Sequence, residues 1–150
     1  MTRAIHPLFD GAGAARFGAR WNSPGRTVVY TAGSYAGALL EILVHAQRLD
    51  LREPYHCIAI DIPRGVDVEL VTVDDAPDGW EAADYALSRE VGDAWFDAVR
   101  SACLQVPAIT GRPFEYNVMI NPGHPDARRL RIEGPYRVLW DNRLTGLVGH

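Results

Sequence analysis

The sequence predicts a single α+β domain of mixed, mainly antiparallel sheets with a few helices. Three observations carry that expectation. Strand-like runs outnumber helical ones and do not alternate with them in the regular way that a doubly wound sheet requires. The composition, 47% hydrophobic and 23% charged, is that of an ordinary folded chain. A length of 150 residues suits one core, since a domain of that size buries roughly 70% of the surface its unfolded chain exposes. No repeat, low-complexity tract or composition shift marks a boundary, so residues 1–150 are expected to form one unit.

Residues Met1 to Phe17 carry glycines and alanines without a strong period and read as irregular, with room for one short strand or helical turn. Ser23-Pro24-Gly25 is a turn signal, and Thr27–Thr31 has the β-branched and aromatic make-up of a buried strand. Ser34 is placed to cap a helix from about Tyr35 to Arg48, with Leu39/Leu43 and Leu40/Val44 as its apolar rows. Tyr55–Ile62 reads as a strand closed by Pro63-Arg64-Gly65, and the alternation from Val66 to Val73 reads as a half-exposed one. Asp74–Gly79 is loop chemistry. Trp80–Arg100 looks helical, with Ser88 and Gly92 as weak points where it could divide into two. Cys103–Val106 is a short strand ended by Pro107, and Tyr116–Ile120 another, ended by the proline-rich Asn121–Pro125. Leu130–Ile132 and Tyr136–Trp140 complete the sheet.

A net charge of -4 and a pI near 5.7 argue against a dedicated nucleic-acid binder, which needs a basic face for phosphates. The Arg128-Arg129-x-Arg131 cluster is the one local exception, and a solvated strand edge explains it. Cys57 and Cys103 lie far apart in apolar runs, so buried thiols are expected rather than a zinc site or a disulfide. No basic-then-apolar leader is present and no apolar run approaches the ~20 residues that span a bilayer. The expectation is a cytoplasmic protein without membrane contact.

Three polar groups stand in otherwise core-forming sequence between Gly18 and His45. Arg20 stands two residues after Gly18 and precedes Trp21 and Asn22, which presents a guanidinium fork suited to phosphate from a tight loop, or else an ordinary surface arginine. Glu41 interrupts a run of large apolar residues, where a carboxylate must be paired, hydrogen-bonded or protonated. It is read either as catalytic or as half of an ion pair with Arg20 or another arginine. His45 lies one helical turn beyond and either orients Glu41 or caps the helix. Tyr30 stacks on a flat ligand or fills the core. Asn117, Asn121 and His124 surround a strand end, where side-chain amides commonly hold loops in shape. No phosphate-binding glycine motif, zincin pair or hydrolase elbow is present.

Taken together, Gly18-Ala-Arg-Trp-Asn-Ser-Pro-Gly25, Val28-Val-Tyr30, Ala38-Leu-Leu-Glu-Ile-Leu-Val-His45, Leu104-Gln-Val-Pro107 and Asn117-Val-Met-Ile-Asn-Pro-Gly-His-Pro125 resemble the RES domain family. The resemblance runs from about residue 3 to 133, with a C-terminal tail to 150. It implies a fold similar to ADP-ribosyltransferase toxins and the toxin role in a type II toxin–antitoxin pair with an Xre-type antitoxin. The implied substrate is NAD, without a metal. NAD is hydrolysed or phosphorolysed at the nicotinamide–ribose bond, or its ADP-ribose is passed to a host metabolic enzyme. Carried over by position, Arg20, Tyr30 and Glu41 are the expected catalytic residues, and Arg20, Tyr30, His45, Ala108 and Asn117 the expected NAD-binding ones. The family serine falls at Ala108, which has no hydroxyl to donate. Thr110 substitutes, or the serine is dispensable, or the chain is a weakened enzyme that acts only as an antitoxin-binding module.

Overall fold

The computed structural model describes residues 2–3, 9–45 and 54–147. Among these residues lie two sheets and three helices, which is the α+β architecture expected. The first sheet has the order β1-β3-β7, from β1 (Thr2–Arg3), β3 (Tyr55–Asp61) and β7 (Arg131–Arg137), all antiparallel. The second has the order β2-β6-β5-β4, from β2 (Val29–Ala32), β6 (Tyr116–Ile120), β5 (Cys103–Pro107) and β4 (Val68–Leu70). Its one parallel pair is β4 with β5. The helices are α1 (Ala12–Phe17), α2 (Tyr35–His45) and α3 (Ala86–Ala98), and 3-10 turns cover Pro125–Arg129 and Asn142–Leu147.

Central strands β5 and β6 are buried on both faces, which is why they read as apolar runs rather than alternating ones. One face, with Leu104, Val106 and Met119, packs with Val28 and three tryptophans, Trp21, Trp80 and Trp95. The other, with Cys103, Val118 and Ile120, packs with Val29, Val66 and Leu130, and Ile60 of β3 leans on it. Val28 and Val29 serve opposite faces because successive strand side chains point opposite ways. Antiparallel register sets Asn117 opposite both Val106 and Ala32. That register carries Asn117 toward the cleft.

Helix α2 lays Leu39, Ile42 and Leu43 on Tyr55, Cys57 and Val138. Leu40 and Val44, expected as a second apolar row, are instead exposed, because Ile42 completes the i, i+3, i+4 stripe of Leu39 and Leu43. The expected last turn to Arg48 lies outside the described residues. Both cysteines are buried free thiols in separate clusters, as predicted. Asn121 and His124 hold their turn: Asn121 Oδ1 accepts from the Gly123 N–H and His124 Nδ1 from the Asp126 N–H.

Two elements are shorter than the sequence predicts. Only Val68–Leu70 of the run from Val66 to Val73 pairs as a strand. Thr72 Oγ1 and N–H both bond Asp75 Oδ2, at 2.6 and 3.2 Å, and turn the chain away. The helix expected from Trp80 begins only at Ala86. Trp80 is drawn into the core against Trp21, with ring centroids 5.4 Å apart, and the chain reaches α3 through successive turns. The helix does not divide at Ser88 or Gly92. The two C-terminal runs are in fact one strand, β7, which passes through Gly134 at φ 116 opposite a register shift in β3. Among the described residues no helix is long and apolar enough to cross a membrane.

Candidate active site

The Gly18–Gly25 loop is held from within by Asn22 and from outside by α3. Asn22 is fully buried; its Nδ2 donates to the Ala14 and Ser23 carbonyls at 3.1 and 3.0 Å, and its Oδ1 accepts from the Tyr30 hydroxyl at 2.7 Å. That hydroxyl in turn accepts from the Trp21 N–H. Burial pushes the Tyr30 phenol well above its ordinary pKa, so it stays neutral. Gly18 has φ 69, and a Cβ there would stand 2.8 Å from the Asn22 carbonyl oxygen. Only glycine suits both constraints.

Helix α3 presents Ser88, Arg89, Gly92 and Asp93 to this loop on one face. Ser88 Oγ donates to the Arg20 carbonyl at 2.6 Å, Arg89 Nε to the Ala19 carbonyl at 2.9 Å, and the Ser23 N–H donates to Asp93 Oδ1 at 2.8 Å. A Cβ on Gly92 would collide with the Trp21 carbonyl. Thus the two residues that weaken α3 by propensity are where the loop seats.

Arg20 points its guanidinium at the segment before α3. Nη1 donates to the Trp80 and Ala82 carbonyls, both at 3.2 Å, and the Arg20 Cζ lies 4.4 Å from the centre of the Tyr85 ring. Nε and Nη2 have no bond among the described residues. Sequence reasoning missed Tyr85, because the Trp80–Arg100 stretch reads as helix. Its signal was available only in three dimensions.

Glu41 projects from the middle of α2. Its Oε1 accepts from Thr110 Oγ1 at 2.8 Å and, more weakly, from Asn117 Nδ2 at 3.5 Å, while Oε2 lies 3.1 Å from His45 Nε2. His45 therefore lies within hydrogen-bond reach of Glu41, as its i, i+4 spacing allows. No arginine pairs with Glu41 among the described residues; hydroxyl, amide and imidazole donors do so in its place. The carboxylate side chain remains 26% exposed, so it is fixed yet reachable.

These groups share one cavity of about 640 Å³, lined by Arg20, Tyr30, Glu41, His45, Thr110 and Asn117, with Tyr85 and apolar residues of α2 completing the wall. That volume is in the range of small-molecule sites. A second cavity of about 450 Å³ shares Tyr30, Thr31, Ala32 and Ala38 with it and extends toward β3. Ala108 is not on the wall. It is buried, its N–H bonds the Glu115 carbonyl, and its neighbours Ile109 and Thr110 face the cavity instead.

The structure resembles the solved M. tuberculosis MbcT-MbcA toxin-antitoxin complex with a TM-score of 0.77, covering 98% of this chain and 85% of the matched one at 21% identity. At that identity the likeness is one of fold. A "Prs ADP-ribosylating toxin" from Sphingobium sp. is 36% identical over 90% of this chain and 85% of its own length. A protein named "Toxin Res" from Photorhabdus laumondii is 34% identical, over 81% and 79% respectively. The RES domain model matches residues 2–141. With its motifs, its fold and nearly its whole length in agreement, this chain belongs to the RES domain family.

Proposed function

We propose that the chain is the toxin of a toxin–antitoxin pair and that its cleft consumes NAD by cleaving the nicotinamide–ribose bond. One observation carries this reading: Glu41, oriented by Thr110, Asn117 and His45, stands on the wall of the same cavity as the Arg20 guanidinium and the Tyr30 ring. Arginine is suited to the NAD pyrophosphate and an aromatic face to its planar nicotinamide.

Cleavage moves the glycosidic electron pair onto the pyridinium nitrogen and releases neutral nicotinamide. Positive charge then builds on ribose C1′ and its ring oxygen, and a carboxylate fixed beside the sugar stabilises it. Three donors hold Glu41 before substrate arrives, which keeps its reorganisation small. A new bond forms at C1′ from an acceptor oxygen, whose proton passes to Glu41 or to solvent. Water gives hydrolysis and phosphate gives phosphorolysis. Tyr30 contributes its ring only, since its hydroxyl is neutral and already engaged at Asn22 and Trp21.

Transfer of ADP-ribose to a host enzyme is the second reading, and the name of the Sphingobium relative favours it. Both share the first bond cleavage. The hydroxyl that Thr110 brings to Glu41 supports turnover over the binding-only alternative raised by Ala108. An antitoxin partner, of Xre type by family resemblance, fits the likeness to a toxin-antitoxin complex and would inhibit by covering the cleft near Arg20. The expected place of action is the cytoplasm, where NAD is available. Incubating the protein with labelled NAD and cell lysate tests these readings: free ADP-ribose or its phosphate supports breakdown, label on a discrete band supports transfer, and no release of nicotinamide refutes cleavage.

A further inference from the structure

We propose that Tyr85 is the positioning residue of the Arg20 clamp: its ring pre-orients the guanidinium that receives the dinucleotide pyrophosphate. The proposal rests on the reading of the cleft as an NAD site and adds to it a residue outside the family motifs.

Arg20 is gripped at three points by a single stretch of chain, residues 80–88. Its carbonyl accepts from Ser88 Oγ, Nη1 of its guanidinium bonds the Trp80 and Ala82 carbonyls, and its Cζ lies over the Tyr85 ring, 4.4 Å from the centre. Arg89 reaches the same ring, with Cζ 5.4 Å from its centre, and fastens the preceding carbonyl of Ala19. The remaining edge of Arg20, Nε and Nη2, is the one a phosphate fork would use. A free arginine loses much rotamer freedom when a ligand captures it. The socket removes that loss ahead of binding.

A second, independent observation singles out Tyr85. Its backbone is left-handed, with φ 61 and ψ 11, a conformation that side chains other than glycine, asparagine and aspartate rarely adopt. The kink is needed to enter α3, since the Tyr85 N–H bonds the Ala82 carbonyl and its own carbonyl accepts from the Arg89 N–H. Glycine would satisfy that backbone without strain. A tyrosine there places a ring on the cavity wall, against Arg20.

The backbone conformation supplies a clean variant. Tyr85→Gly relieves the left-handed strain while removing the ring, so it should fold, with a thermal midpoint no lower than that of wild type. Titrating ADP-ribose by calorimetry, we expect Tyr85→Gly to weaken binding about tenfold, within what a partly desolvated cation–π contact supports. Tyr85→Phe should restore most of that affinity, nicotinamide binding should not move, and Tyr85→Gly should cost nothing further in an Arg20→Ala background. Equal ADP-ribose affinity in wild type and Tyr85→Gly overturns the proposal, and so does wild-type protein that does not bind ADP-ribose. The cleavage reading fails separately: protein that binds ADP-ribose in this Tyr85-dependent way but releases no nicotinamide from NAD refutes cleavage and leaves the clamp standing.

Discussion

The Thr110 hydroxyl donates a 2.8 Å hydrogen bond to Glu41 Oε1, joining the loop after β5 to the middle of α2 across the cleft. It stands two residues beyond the position where the family serine falls and performs a task that the buried Ala108 methyl cannot. Thr110→Val keeps the shape and removes the donor. Loss of a hydrogen bond to a charged group costs about 1.5–3 kcal/mol, so the rate of nicotinamide release should fall by roughly one to two decades. Ala108→Ser should change the rate far less, and a large gain from it alone would show that Thr110 does not stand in for the serine.

Replacing Glu41 with glutamine retains the side chain's size but removes its charge. Growth arrest on expression should disappear, while the unfolding free energy from urea denaturation should stay within about 1 kcal/mol of wild type, as expected for a partly exposed group. Undiminished arrest by a folded Glu41→Gln protein would rule out a catalytic carboxylate at this position.

At Gly92 two effects oppose each other, and their magnitudes decide the outcome. Alanine is the better helix former by about 1 kcal/mol, but its Cβ would meet the Trp21 carbonyl, which is backbone and cannot swing aside. Overpacking of this kind costs about 1–3 kcal/mol or more. Gly92→Ala should therefore destabilise the fold in chemical denaturation and weaken ADP-ribose binding, since the loop carrying Arg20 must shift.

Alkaline pH should destabilise the protein through Cys103. Burial pushes its thiol from 9.0 up to about 11, so between those values the unfolded chain has lost a proton that the folded one keeps. Its contribution is complete below pH 9 and is lost as pH rises toward about 11. Tyr30, also raised by burial, acts in the same direction at higher pH. The sequence has no lysine to titrate in that window. Comparing urea midpoints at pH 8 and pH 10.5 should show a smaller drop for Cys103→Ala than for wild type, and equal drops would remove Cys103 as the cause.

What the sequence discloses here depends on how local the cause is. Glu41 and His45 are one turn apart on a helix, so their pairing could be read directly. Thr110 and Asn117 reach the same carboxylate only because strand register and a loop return bring them there, and spacing along the chain does not encode that. Trp80 reads as helical because its neighbours have helical preferences; burial against Trp21 outweighs them. Ser88 and Gly92 read as weak points because propensity counts their cost within an isolated helix and not the loop that fills the space they leave. Tyr85 is the clearest case, since nothing in its neighbours announces a left-handed backbone or a guanidinium lying on its ring.

The seating of the Gly18–Gly25 loop on α3 has a consequence for synthesis. The bond from Ser88 to the Arg20 carbonyl spans 68 residues, that from Ser23 to Asp93 spans 70, and Asn117 lies 76 residues beyond Glu41. A ribosome that has not yet released residues 80–117 presents Arg20 without its socket and Glu41 without its Thr110 and Asn117 donors. The cleft is therefore assembled only once residues as late as Asn117 have emerged, which, under the proposed function, would leave an antitoxin an interval in which to meet the chain before it acts.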